Sequence, residues 1–182
     1  MGAATDDLKK EHEAILHVLK LTKKMKISTG QIRDSISDTY RGVAEFFSVF
    51  GDKCHHGKEE NFLFPAMVEL GIVGEGGPVG ALLAEHKSAR ELTRRMRECA
   101  KSDDDAGFEA AVENYSKLMR RHIERENTVF FAMADFLIDE AEQQQMFSDF
   151  EKFERDVMGE GVHERLHHEI EAWEAVFDNA GG

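Results

Sequence analysis

The feature that most restricts this chain is its shortage of helix breakers. Only two prolines, Pro65 and Pro78, occur in 182 residues, and the segments around them are rich in Glu, Lys, Leu, Ala and Met. Those residues lose little side-chain freedom in a helix, while the β-branched runs that favour strands are few. The expected fold is therefore all-α. Two clear interruptions appear, "GIVGEGGPVG" at 71–80 and "KSDDDAG" at 101–107. No Gly-Lys-Ser/Thr follows the first, so it reads as a turn rather than a nucleotide loop.

These breaks divide the chain into a helix over 5–27 with Thr5 as N-cap, one over about 29–70 bent near Pro65, and others over about 79–101 and 104–137. A fifth helix runs to Gly159 or Gly161, and "HERLHHEIEAWEAVF" makes a sixth. Four long helices with short connections form an up-down-up-down four-helix bundle. The last two form a C-terminal appendage over about 139–178, and no linker splits the single domain 1–182.

A formal net charge of −13 opposes a surface for nucleic-acid phosphates. No apolar run reaches membrane-spanning length, and the opening "MGAATDDLKKEHEAIL" is charged where a signal peptide needs its apolar segment. Asp6 stands where a myristoylation motif needs Ser or Thr. The expectation is a cytoplasmic protein that binds neither membrane nor nucleic acid. The two cysteines make neither a disulfide framework nor a zinc-knuckle spacing.

Chemistry concentrates in two related phrases, "CHHGKEENFLFP" from Cys54 and "HIERENTVFF" from His122. Each holds His-x-x-x-Glu ahead of an apolar run, and residues four apart share one helical face. The row through His55 and Glu59 includes Tyr40, Ala44, Phe47 and Phe62, so that pair faces the core. The row through His56 passes Asp52, Val49, Glu45 and Arg41, which places His56 and Glu60 outside. His122 and Glu126 again lie on an apolar stripe, with Leu118, Met119, Val129 and Phe130. His12 and His86 lie on similar stripes of the first and third helices.

Four imidazoles and two carboxylates exceed what one zinc takes, and their nitrogen content does not suit magnesium or calcium. A carboxylate-bridged pair of first-row transition metals fits better, iron first among them. His17, on a mixed row with Glu13, Lys24 and Leu21, reads as exterior. Cys54 reads as a small buried side chain.

In order and spacing, "KKEHEAIL", "HHGKEENFLFPAM", "LLAEHKSARE" and "RRHIERENTVFFAM" resemble the four histidine-bearing segments of the hemerythrin-like (HHE cation-binding) family over roughly 5–137. The resemblance implies two iron ions (Fe2+/Fe3+) with a bridging oxo or hydroxo group inside the bundle. Its ligands would be His12, His55, Glu59, His86, His122 and Glu126, with both glutamates bridging. It also implies O2, or a related diatomic or peroxide ligand, as partner, and the leading expectation is binding or sensing without obligatory turnover. The competing functions are a di-iron enzyme acting on peroxide, nitric oxide or ferrous iron, and a structural or storage bundle.

The chain departs from the oxygen carriers at one point. They carry a second histidine one turn along the third helix, where this chain has Arg90. Water, Glu85 or a histidine from elsewhere is left to supply that ligand. His163 and His167 of the sixth helix are candidates for it, or for an outer hydrogen bond, against the plainer role of packing or surface residues. Tyr40 and Tyr115 are candidates for outer hydrogen bonds, with core packing as the plainer reading.

Overall fold

The structure, a computed structural model, describes residues 2–28, 33–159 and 161–179, and their side chains except at 25–28, 33–37, 163, 164, 167 and 175–179. Among the described residues there are six helical rods and no strand. The first is α1 (Ala3–Ser28). The second opens with α2 (Arg33–Phe46) and continues through Phe47–His55, His56–Lys58 and Glu59–Leu63 into α3 (Phe64–Glu69). The third is α4 (Pro78–Lys101). The fourth is α5 (Asp105–Arg125), which passes through Glu126–Phe130 into α6 (Phe131–Leu137). α7 (Glu140–Met158) and α8 (Val162–Asn179) follow.

The first four rods close a ring, each packed on the next and α1 on α5. The connections are built from local chemistry. Gly71 and Gly76 adopt φ of 95° and 73°, which the turn at 71–77 requires and side-chain-bearing residues avoid. Asp104 caps α5 by accepting the Gly107 N–H at 2.9 Å. Asp139 and Glu142 form a reciprocal capping box at the start of α7. Thr5 is not an N-cap, because α1 begins at Ala3. Its buried hydroxyl instead donates to the Asp135 carboxylate at 2.5 Å, with the Gly2 carbonyl as an alternative acceptor at 3.0 Å. Pro65 does not break its rod, which stays helical from Glu59 through Glu69, with the wide turn at Glu59–Leu63 immediately before the proline.

The interior has two apolar clusters. One contains Ile15, Leu19, Phe47, Met96, Phe108 and Met119. The other contains Leu8, Leu63, Phe64, Phe130 and Phe131. The polar residues His12, His55, His56, Glu59, His86, His122 and Glu126 are all fully buried alongside them. The C-terminal helices share both clusters. Phe150 of α7 belongs to the second and Trp173 of α8 to the first, and α7 packs along α1 and the Phe47–His55 stretch. No described helix is long and apolar enough to cross a membrane.

Candidate metal centre

The backbone departs from α-helical winding where the buried polar side chains cluster. Phe47–His55, Glu59–Leu63 and Glu126–Phe130 are π-helical. Their hydrogen bonds span five residues, including His56 N–H to Gly51, Phe64 N–H to Glu59 and Phe131 N–H to Glu126. The last two wide turns each begin on a glutamate of the two His-x-x-x-Glu phrases. A wider turn reduces the angle between successive side chains, and such turns recur at functional sites. His55 and His56 therefore both point inward.

This corrects the exterior assignment of His56 and Glu60. His56 is fully buried, and the Glu60 side chain is only 24% exposed. The helical rows failed because they assumed four-residue spacing through a π-helical stretch. Adjacent histidines between Gly51 and Gly57 were the available hint.

The inward groups form two overlapping sets. His12, His55, Glu59 and Glu126 each place a donor atom within 4.8 Å of the others, and so do His56, Glu59, His86 and His122. Glu59 belongs to both sets. Its Oε2 lies 3.3 Å from His86 Nε2 and 3.8 Å from His55 Nε2. Glu126 Oε2 lies 3.0 Å from His122 Nε2 and 3.2 Å from His12 Nε2, so it also touches both sets.

An outer ring of acceptors fixes the imidazoles. His55 Nδ1 meets Glu11 at 2.9 Å, His86 Nδ1 meets Glu60 at 2.7 Å, and His122 Nδ1 meets Glu85 at 2.9 Å. A cation holds each of these carboxylates at 2.7 Å: Lys58 on Glu11, Arg90 on Glu60 and Arg125 on Glu85. His12 Nδ1 meets the Asn127 amide oxygen at 2.8 Å. His56 Nδ1 lies 3.3 Å from Asp52, whose other oxygen accepts from Thr93. Asp52 lies one turn from His56 on the same rod, but sequence spacing gave no sign of the other partners, because those contacts cross between helices. Arg90, at the position of the absent histidine, anchors the partner of His86, and Glu85 is an outer partner of His122.

At His12, His55, His86 and His122, donation of Nδ1–H to these acceptors leaves Nε2 as a bare lone pair, the form that binds a metal, whereas His56 Nδ1 makes no hydrogen bond among the described residues. His12, His55 and His56 Nε2 and all four oxygens of Glu59 and Glu126 have no hydrogen-bond partner among the described residues. Buried polar atoms are otherwise almost always paired, and leaving them unpaired costs about 1–3 kcal/mol each. His86 and His122 Nε2 face each other at 3.2 Å. With both Nδ1–H groups donated outward, these lone pairs repel unless a proton or a cation lies between them. A cation fits the whole set.

Burial lowers the His55 pKa to about 3 and pushes that of His56 well below the ordinary range. Burial also opposes protonation of His86, but the Glu59 and Glu60 carboxylates outweigh it and raise its pKa to about 9. His122 is raised in the same sense, its burial outweighed by Glu126 and Glu59. For His55 and His56 the folded pKa lies below the unfolded value, so their contribution to apoprotein stability is present above about pH 6.5 and lost as pH falls. For His86 and His122 the sign reverses, and their contribution is full below about pH 6.5 and lost at alkaline pH. A cation must displace whatever proton His86 and His122 hold. Metal loading at pH 7.5 in weak buffer is therefore expected to release protons, which an indicator dye records, and lowering the pH from 7 to 5 should release the metal.

Of the remaining candidates, Tyr40 stacks on Phe108, with its hydroxyl 3.4 Å from Glu109 rather than at the histidines. Tyr115 is fully buried against Phe47, and its hydroxyl has no partner among the described residues. Tyr115→Phe is expected to raise stability by about 1 kcal/mol in a thermal melt, because it removes a buried unpaired group. His17 is partly exposed and pairs with Glu174, and Cys54 is fully buried. The side chains of His163 and His167 lie outside the described residues.

Searches of curated proteins and of solved structures return no match to this chain. A family model described as "Hemerythrin HHE cation binding domain" matches residues 3–134. That segment contains every inward histidine and glutamate described above and ends just before α7. The chain belongs to the hemerythrin HHE cation-binding domain family.

Proposed function

We propose that this protein holds two iron ions and binds O2, or a related small ligand such as nitric oxide or peroxide, at that pair. His12 and His55 would hold one ion and His56, His86 and His122 the other, with Glu59 and Glu126 shared between them. The observation that carries this reading is the set of buried oxygens and nitrogens that converge on one another and, beyond those mutual contacts, have no partner among the described residues. His56 supplies the nitrogen that Arg90 does not, so the set reaches five imidazoles and two carboxylates. Nitrogen and carboxylate donors without thiolate suit iron, which when bound supplies the electrons that O2 binding requires.

The two positions are unequal. The His12–His55 position has one imidazole fewer than the other, so the small ligand is assigned to that side. His12 stacks on Phe131 there, with ring centroids 5.4 Å apart, and Leu8, Leu63 and Phe130 belong to the same apolar cluster as Phe131. These side chains limit water, while the acceptors at Nδ1 of His12, His55, His86 and His122 orient each ring with Nε2 facing inward. Every inward titratable group is used as a donor, which favours binding over turnover.

The test is a visible spectrum of anaerobically reduced, iron-loaded protein before and after air. The reading predicts new bands that disappear when O2 is removed. Irreversible conversion to a stable ferric spectrum would overturn O2 binding in favour of an oxidative or iron-handling role.

A further inference from the structure

Lys58 is a second concentration of buried charge, and the metal pair makes no direct use of it. Its side chain is 1% exposed, and its ammonium donates to Glu11 at 2.7 Å, Glu154 at 2.9 Å and Asp7 at 3.0 Å. An ammonium has three N–H donors, so all are spent. The cation bridges three rods, because Asp7 and Glu11 lie on α1, Lys58 on the second rod and Glu154 on α7. Glu11 presents its other oxygen to His55 Nδ1 at 2.9 Å. The result is an unbroken chain from α7 to an inward imidazole: Glu154, Lys58, Glu11, His55.

The comparable cations at the other histidines differ in kind. Arg90 on Glu60 and Arg125 on Glu85 are 42% and 45% exposed, and among the described residues both pairs stay within the first four rods. Water screens those two pairs. The Lys58 pair is screened far less, so the position of its charge acts strongly on Glu11. Gly57 lets α7 approach closely enough for Glu154 to arrive. A Cβ there would lie 2.8 Å from the Phe153 ring.

We propose that Lys58 is a positioning residue through which α7, outside the family-matched segment, sets the properties of the His12–His55 metal position. Lys58 fixes the Glu11 carboxylate on His55 and offsets part of its charge, so detaching Glu154 or removing Lys58 alters how strongly His55 donates to its ion. This rests on the reading of His55 as a ligand.

The test compares wild type, Lys58→Met, Lys58→Arg and Glu154→Gln as full-length chains. Cobalt(II) is used as the probe, with stepwise binding constants and visible spectra recorded. Lys58→Met is expected to weaken one of two sites about 10- to 100-fold and shift its spectrum, since partners of ligand histidines act on this scale. The other site should be unchanged. Lys58→Arg should restore much of the loss, and Glu154→Gln should shift the same site in the same direction by a smaller factor. Should Lys58→Met fail to fold, Glu154→Gln and Lys58→Arg carry the test.

Two wild-type-like sites in the folded variants, or equal weakening of both, would overturn the proposal and leave the metal-pair reading standing. A wild-type chain that binds no cobalt would overturn that reading, and this proposal with it.

Discussion

Glu59→Ala is expected to remove both metal ions, not one. Glu59 is the one residue whose oxygens belong to both inward sets, and neither oxygen has a hydrogen-bond partner among the described residues. Removing it deletes a donor from each position and also the negative charge between two cations. The apoprotein should also lose some stability, because Glu59 lies 3.3 Å from His86 Nε2 and its removal takes a buried partner from that imidazole. Its melting temperature without metal should therefore fall, while the fold is retained. The stabilisation by metal should disappear, a change of about 2.7 kcal/mol per site when free metal stands at 100 times its dissociation constant. Retention of one ion at wild-type affinity would show that Glu59 is not shared.

The second large effect is expected at His56. His56→Ala should weaken one ion more than about 100-fold, since deleting a ligand costs at least as much as disturbing its outer partner. The ion between His12 and His55 should be retained more firmly. Metal titration monitored by cobalt absorption separates the two. His17→Ala is the control, because His17 is partly exposed, pairs with Glu174 and should leave both ions in place. If His56 behaved like His17, the inward turn of the second rod would play no part in metal binding.

His56 also shows where sequence reasoning stops. The helices were legible because Pro and Gly are confined to the connections and the apolar residues keep helical spacing over long stretches. His12, His55, Glu59, His86, His122 and Glu126 were legible because each lies on an otherwise apolar stripe, where an unpaired polar group needs a reason. The structure places all six in one buried layer. His56 was misplaced because a π-helical turn shifts the faces of its rod, and ordinary helix periodicity contains no such term.

The outer partners were hidden for another reason. Glu11, Glu60 and Glu85 look like solvent-facing charges along their own helices and acquire a role only through histidines on neighbouring ones. Lys58 is the extreme case. In sequence it is one more lysine in a charged phrase; in the fold it is buried at 1% exposure among three carboxylates, one of them 96 residues away. Inter-helix pairs of this kind follow from packing angle and register, which no local pattern reports.

The outer ring also explains how four of the five inward histidines are oriented inside one bundle. Carboxylates on His55, His86 and His122 and an amide on His12 hold the Nδ1 protons outward, and the Nε2 atoms converge. The same arrangement accounts for the opposite pKa directions of His55 and His86. Burial dominates at His55, whereas His86 lies closer to its two carboxylates, 2.7 Å from Glu60 and 3.3 Å from Glu59.

The central claim is that these seven side chains hold a pair of ions. The most direct measurement is the metal content of protein loaded anaerobically with ferrous iron and then passed through a desalting column. The account predicts about two irons per chain, as in carboxylate-bridged pairs built inside helical bundles. One iron per chain, or none, would contradict it.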